Sequence, residues 1–386
     1  MREIFLAFLR LGLVSFGGPT AHIGYFHSEF VIKKKWIEES VFAEMQAICQ
    51  MLPGPASSQL GICIGAIRGG TGGGLAAWLG FTLPSAVLLV LFAELVKKDI
   101  IPELGWIQGW KLVAAAVIAH AVFSMGKTIV EGPVSAGIVV FSLVTSLIFR
   151  DLPQIVYILL AGILGSLFLR PEEQKGYEKK LFSKSRKLAW ILIVSFFLLL
   201  GILPILRIWI GGRFLEIADG FYRTGALVFG GGHVVLPLLE KEFVSPGFLD
   251  HDIFLMGYGA AQAVPGPLFT FSAYIGVFLD GIGGAVAGLV WIFLPSFLIL
   301  FGVLPYWEKI REYPWISSAV KGMNASVLGI LAAALYDPVL KTSVHSWLDL
   351  GFAVLLFLGL LLFRIPNWFL LFPGFLYGLF RGAGYL

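Results

Sequence analysis

Phe8-Leu9-Arg10-Leu11-Gly12-Leu13-Val14-Ser15-Phe16-Gly17-Gly18 returns in the second half of the chain as Phe221-Tyr222-Arg223-Thr224-Gly225-Ala226-Leu227-Val228-Phe229-Gly230-Gly231. The shared pattern is F-x-R-x-G-x-x-x-F-G-G, and the register continues beyond it. Glu29-Phe30-Val31 meets Glu242-Phe243-Val244, and Gln50-Met51-Leu52-Pro53-Gly54-Pro55 meets Gln262-Ala263-Val264-Pro265-Gly266-Pro267. Further on, Gly72-Gly73 meets Gly283-Gly284, Leu83-Pro84-Ser85 meets Leu294-Pro295-Ser296, and Lys111 aligns with Lys321. Ordered matches of rare residue types mark an internal duplication.

The medium in which this duplicated chain folds follows from composition. Of 386 residues, 58% are apolar and only 13% charged, where a soluble domain carries roughly a quarter. The mean hydropathy is +0.88. Apolar runs long enough to cross a hydrocarbon core recur along the chain, and 47 glycines allow close helix packing and broken helices. These features predict an all-α polytopic membrane protein in contact with the lipid bilayer. A formal charge of +4 without a basic stripe excludes a nucleic-acid surface. Cys49 and Cys63 lie in apolar stretches with no disulfide framework or metal spacing and read as buried thiols.

In the first half, interrupted segments cover residues 4–31 and 41–68, and continuous spans follow near residues 73–96, 106–125, 134–149 and 153–169. The expected division is a first repeat at 1–171, a basic linker at 172–187, a connecting membrane helix at 188–207 and a second repeat at 208–386. Arg170, Lys175, Lys179, Lys180, Lys184, Arg186 and Lys187 place the linker on the cytoplasmic side by the positive-inside rule. The connecting helix has no counterpart before the first half, so one extra crossing turns the second half over. Inverted-topology repeats are therefore expected. Lys33-Lys34-Lys35, which has no basic equivalent near Pro246 and Gly247, agrees with that inversion.

Interrupted backbone inside a bilayer is tolerated only where it is buried or lines a cavity, so matched interruptions mark the transport site. In Pro53-Gly54-Pro55 the first proline disfavours helix at Leu52, the glycine permits a turn and the second proline can open a new helix. That helix directs free N–H groups and a positive dipole end at what faces it, which suits an anion. Candidate ligands at the two termini are Gly54, Ser57 and Ser58 in the first half, with Gly266 and Thr270 in the second. The F-G-G breaks add Gly17, Gly18, Thr20 and His22, matched by Gly230, Gly231 and His233.

Arg10 and Arg223 are expected as bidentate ligands of an oxyanion; the competing reading is that they snorkel, or that Arg223 pairs with Asp219. Gln50 and Gln262 offer neutral donors and acceptors, or hydrogen bonds between helices. Glu44, His22 and His233 are the candidates for proton coupling. Lys111 and Lys321 read as interfacial. The histidines show no metal-ligand spacing, and no cofactor is called for.

As they stand, Phe8-Leu9-Arg10-Leu11-Gly12 leading to Ser15-Phe16-Gly17-Gly18-Pro19, Gln50 to Pro55, Arg68-Gly69-Gly70 and Phe81-Thr82-Leu83-Pro84-Ser85 resemble the N-terminal signature of the chromate ion transporter family in its long, two-half form. Phe229-Gly230-Gly231 and Gln262 to Pro267 resemble the C-terminal one. The resemblance covers nearly the whole chain. It departs where Gly232 replaces the proline that follows F-G-G in the first half.

What the resemblance implies is export of chromate across the cytoplasmic membrane by a secondary active transporter, driven by the membrane potential or a proton gradient, with sulfate as a competitor. The alternatives are a transporter of sulfate or another small anion, and an anion channel. An intramembrane enzyme using Ser57 or Ser58 with His22 or His120 lacks a nucleophile-elbow context, and an enzyme is not expected. Partners are a chromate- or sulfate-like oxyanion, lipid and, as a candidate, a second copy of the chain in a homodimer.

Overall fold

Backbone that crosses hydrocarbon has to satisfy its N–H and C=O groups within its own segment, which leaves helices as the solution for a chain this apolar. A computed structural model of the protein describes residues 1–98, 105–149, 152–171, 186–229, 232–310, 312–363 and 365–382, and among them every regular element is helical. The expected linker lies almost wholly outside the described residues.

The first repeat contains α1 (Arg2–Val14), α2 (Gly18–Phe26) running into a π-helical turn (His27–Lys33), and α3 (Glu39–Met51). It continues with α4 (Ala56–Lys97), α5 (Trp106–Ile129), α6 (Pro133–Ile148) and α7 (Gln154–Phe168). The unmatched connecting helix is α8 (Arg186–Trp209).

The second repeat contains α9 (Arg213–Leu227), a 3-10 turn (Gly232–Val234), α10 (Val235–Leu239), a second π-helical turn (Glu240–Val244) and α11 (His251–Ala263). A 3-10 turn (Leu268–Thr270) leads into α12 (Phe271–Val303), and Leu304–Tyr306 leads into the short α13 (Trp307–Ile310). Then come α14 (Pro314–Ala334), a π-helical turn (Leu335–Leu340), the short α15 (Lys341–Ser343), α16 (Trp347–Leu362), a 3-10 turn (Asn367–Leu370) and α17 (Leu371–Gly382).

The duplication is visible in backbone detail. Helix α4 leaves helical geometry at Gly69 and Gly70, and α12 does so at the matched Asp280 and Gly281. Each helix folds back there into two arms. A side chain at Gly65 would strike the Gly73 carbonyl, and one at Gly276 the Gly284 carbonyl, so each arm pair approaches backbone to backbone. The arm from Ala56 to the bend is thus a half-helix, as is its counterpart from Leu268.

Among the described residues, five helices are long and apolar enough to cross a membrane: Ala56–Lys97, Trp106–Ile129, Arg186–Trp209, Leu268–Tyr306 and Pro314–Ser343. Helix α8 exposes Trp190, Ile191, Phe197, Leu198, Ile208 and Trp209, a face that water would not tolerate and lipid does.

The compact units cut across the repeats. One comprises Met1–Val90, Arg170–Val235 and Pro265–Ser317; the other comprises Leu91–Leu169, Leu236–Val264 and Ser318–Leu386. Each therefore draws on both halves of the sequence. In the first unit, α9 and α8 pack on α12, with the Tyr222 hydroxyl donating to the Phe196 carbonyl at 2.9 Å. In the second, α17, α16 and α11 surround α5, and Phe352 stacks on Tyr377 at 4.2 Å.

Candidate functional site

The two P-G-P turns lie in the first unit, and the physics that shapes one shapes the other. Leu52 and Val264, each followed by proline, are extended at φ −84°, ψ 149° and φ −86°, ψ 145°. Gly54 and Gly266 then take φ +119° and +108°, which a side chain would resist.

Each turn is tied to the break of the other repeat. The Gly54 N–H donates to the Val228 carbonyl at 2.7 Å, and the Gly266 N–H donates to the Ser15 carbonyl at 2.9 Å. Ser15 and Val228 are equivalent residues, each two positions before the first glycine of F-G-G. The L-P-S serines repeat the exchange: a Cβ on Gly54 would press into Ser296 Oγ, and one on Gly266 would come to 2.8 Å from Ser85 Oγ. Even the breaks meet, since Gly232 sits against its equivalent Pro19.

His22 connects the two turns. It is 1% exposed, its Nε2 lies 3.2 Å from the Ser15 carbonyl and its Nδ1 lies 3.3 Å from Ser57 Oγ. A carbonyl only accepts, so Nε2 carries the proton and Ser57 donates to Nδ1. The Phe81 ring meets the imidazole edge-on at 5.1 Å. Gln59 Nε2 closes the first turn by donating to the Pro53 carbonyl at 2.6 Å. Around this frame the hydroxyls of Ser15, Ser58, Thr82, Ser272 and Ser296 are buried and have no hydrogen-bond partner among the described residues. Half-helix termini, positive-φ glycines and uncommitted hydroxyls enclosed in an apolar unit make a setting for a small anion.

The model of the family described as Chromate transporter matches residues 2–166 and again residues 215–379. The chain belongs to the chromate transporter family. A probable chromate transport protein of Synechococcus elongatus is 28% identical over 341 residues, covering 87% of this chain and 84% of that protein. A chromate transport protein of Cupriavidus metallidurans is 26% identical over 360 residues, covering 92% of this chain and 86% of that one. An uncharacterized transporter of Bacillus subtilis, YwrB, is 30% identical over 172 residues, 43% of this chain but 86% of the relative, so it corresponds to about one repeat. No solved structure matches the chain. Like the family, this is an integral membrane protein built from two homologous halves.

The other expected site residues of this chromate transporter family member fall in different places. Gly17 takes φ +100° and Gly18 +76°, forming the first break. Gly230 and Gly231 lie outside the described residues, as do the side chains of Thr20 and His233. Thr270 Oγ1 donates to the Pro267 carbonyl at 2.8 Å. Gln50 is exposed, while Gln262 belongs to the second unit and accepts from Asn367 at 3.2 Å. Glu44 is buried on α3.

The matched arginines part company. Arg10 is exposed on α1, whereas Arg223 pairs with Asp219 one turn back on α9. Asp219 is 1% exposed and also receives Arg207 at 3.0 Å, so its buried charge is met from two sides. The lysines expected at the interface each hold an ion pair with an exposed carboxylate. Lys111 is 6% exposed and reaches Asp252 at 2.9 Å, and Lys321 reaches Glu131 at 3.0 Å.

Ser296, which lies against the first turn, was not among the residues expected there. The repeated L-P-S was legible in the sequence, but its placement against the opposite turn depends on how the two repeats cross.

Proposed function

We propose that this protein is a secondary active transporter that exports chromate, a divalent tetrahedral oxyanion, across the cytoplasmic membrane. The observation that carries the reading is the reciprocal pairing of Gly54 with Val228 and of Gly266 with Ser15, which draws both half-helix starts and both F-G-G breaks into one unit. Helix starts lined with hydroxyl donors favour negative charge, and relatives named for chromate transport support the choice of ion. The assigned ion path uses Gly17, Gly18, His22, Gly54, Ser57 and Ser58, with Gly266 and Thr270 as the matching half of the frame. Arg10, Arg223 and Gln50 are kept as candidate ligands of the anion.

Exchange of equivalent contacts describes a two-fold relation between repeats. The unmatched α8 makes that relation an inversion across the bilayer, and alternating access then follows from rocking about the site. Labelling of the Lys33–Lys35 loop and the Ser245–Gly247 loop from the same side of the membrane would contradict the inversion.

Direction follows from charge. Moving a dianion outward through an inside-negative potential releases about 4.6 kcal/mol per 100 mV, so export needs no further driving ion. His22, His233 and Glu44 are the groups assigned to proton coupling. A second proton on His22 would make Nδ1 a donor, turn Ser57 into its acceptor and free the Ser57 hydroxyl proton for the anion. Anion binding should therefore tighten as pH falls, and His22→Gln should flatten that dependence.

The contact between Ser57 and His22 is also what a nucleophile and base would require. The remaining ring nitrogen, however, is held by a carbonyl where a triad would place a carboxylate. Persistent flux in Ser57→Ala would exclude a covalent role.

The test is chromate uptake into inside-out vesicles under an imposed potential, with sulfate as competitor. Saturable, potential-driven, sulfate-sensitive uptake is the expected result. Sulfate transport without chromate transport would move the substrate within the oxyanions. Flux far above carrier turnover would replace the carrier with a channel.

A further inference from the structure

The two helix starts framed by the P-G-P turns differ in what they leave free, and the difference decides how many ions the frame can hold. In α4 the first N–H to bond back is that of Gln59, to the Pro55 carbonyl at 2.9 Å, which leaves those of Ala56, Ser57 and Ser58 ahead of it. Ser58, on this first turn, is 4% exposed and its hydroxyl has no partner among the described residues. The half-helix it opens runs unbroken to the bend at Gly69, long enough to carry a terminal dipole.

The second start is wound more tightly. Residues Leu268–Thr270 form a 3-10 turn, the Thr270 N–H and hydroxyl both return to the Pro267 carbonyl at 3.0 and 2.8 Å, and the Phe271 N–H is bonded within the same turn. Leu268 and Phe269 stand where Ala56 and Ser57 stand in the first repeat. Thr270 is the equivalent of Ser58, so the same position is free in one repeat and committed in the other.

The L-P-S serines show the same inequality. Ser85 Oγ, beside Gly266, donates to the Thr82 carbonyl at 3.1 Å. Ser296 Oγ, beside Gly54, is 0% exposed and has no partner among the described residues. A fully buried hydroxyl without a partner is costly unless a ligand satisfies it.

We infer that the protein holds a single divalent oxyanion, seated at the start of α4 by the N–H groups of residues 56–58 and the Ser58 hydroxyl, with Ser296 of the opposite repeat supplying a specificity-determining hydrogen bond. The second start, whose Thr270 hydroxyl is already spent on the Pro267 carbonyl and whose one hydroxyl unpartnered among the described residues, Ser272, lies a turn deeper, is the unloaded partner of this seat. The inference rests on the oxyanion reading above and adds the stoichiometry and an unassigned ligand.

The test is equilibrium binding of chromate and of sulfate to the purified full-length protein in nanodiscs, with thermal unfolding measured on the same samples. The parent should saturate at one ion per chain. Ser296→Ala and Ser58→Ala should each weaken binding at least about tenfold, the loss of one hydrogen bond to a charged group, with unfolding unchanged. Ser85→Ala, the matched control, should stay within about threefold, since its hydroxyl is already spent. Should Ser296→Ala unfold the protein, Ser296→Cys keeps the shape with a poor donor and should show the same loss. Two ions per chain, an unaltered affinity in Ser296→Ala, or an equal loss in Ser85→Ala overturns the inference while leaving the oxyanion reading in place. A parent that binds neither ion overturns both.

Discussion

The first and second P-G-P turns have the same backbone and different chemistry. Gly54 and Gly266 adopt nearly the same φ, donate to equivalent carbonyls and lie against equivalent serines. Yet the first turn is followed by Ala56, Ser57, Ser58 and Gln59, and the second by Leu268, Phe269, Thr270 and Phe271. Gene duplication preserved what the crossing needs sterically, which is a glycine at positive φ between two prolines. Polar side chains, which are expensive in an apolar interior, were kept mainly on one copy. A pair of structurally equivalent breaks is therefore not automatically a pair of equivalent sites.

The largest effect should come from what the turns share. Gly54→Ala and Gly266→Ala each force a Cβ into a positive-φ residue and against a serine hydroxyl. Both should lower vesicle chromate flux by more than about tenfold, because such strain costs on the order of 1–3 kcal/mol and crowding adds to it. Loss in one variant with normal flux in the other would break the equivalence of the frame.

The matched arginines should differ next. Arg223→Gln leaves the buried Asp219 with Arg207 as its remaining described arginine and should destabilise the protein by about 3 kcal/mol, read by denaturant unfolding in detergent. Arg10→Gln, at an exposed position, should stay within about 0.5 kcal/mol. Equal effects would mean that the repeats use this position alike.

A smaller contrast concerns the turn caps. Gln59→Leu removes the amide that closes the first turn on Pro53, and about 1 kcal/mol of stability should go with it. Its equivalent, Phe271, has no such amide to lose. Ser85→Ala gives up one local hydrogen bond to Thr82 and should likewise cost below about 1 kcal/mol in the same unfolding assay.

Much of this architecture is legible in the sequence, and for physical reasons. The F-G-G and P-G-P repeats could be read because proline and glycine act through their own backbone, so Leu52, Gly54, Val264 and Gly266 adopt the conformations their neighbours dictate. The bend at Gly69 and Gly70 was foreshadowed only as a gap between an interrupted segment and the next span. Asp219 was named as a local partner of Arg223, since i, i+4 spacing is visible in one dimension, but Arg207 joining it was not.

Composition and periodicity by themselves determined that the chain is helical, membrane-embedded, duplicated and broken at matched points, because these depend on solvent transfer and local backbone preference. Only the tertiary structure decided that each turn is braced by the opposite repeat, that Ser296 rather than Ser85 keeps an uncommitted hydroxyl, and that the compact units mix the two halves. Those outcomes depend on which distant segments meet. Hydrogen bonds between residues far apart in the chain leave no periodic trace in it.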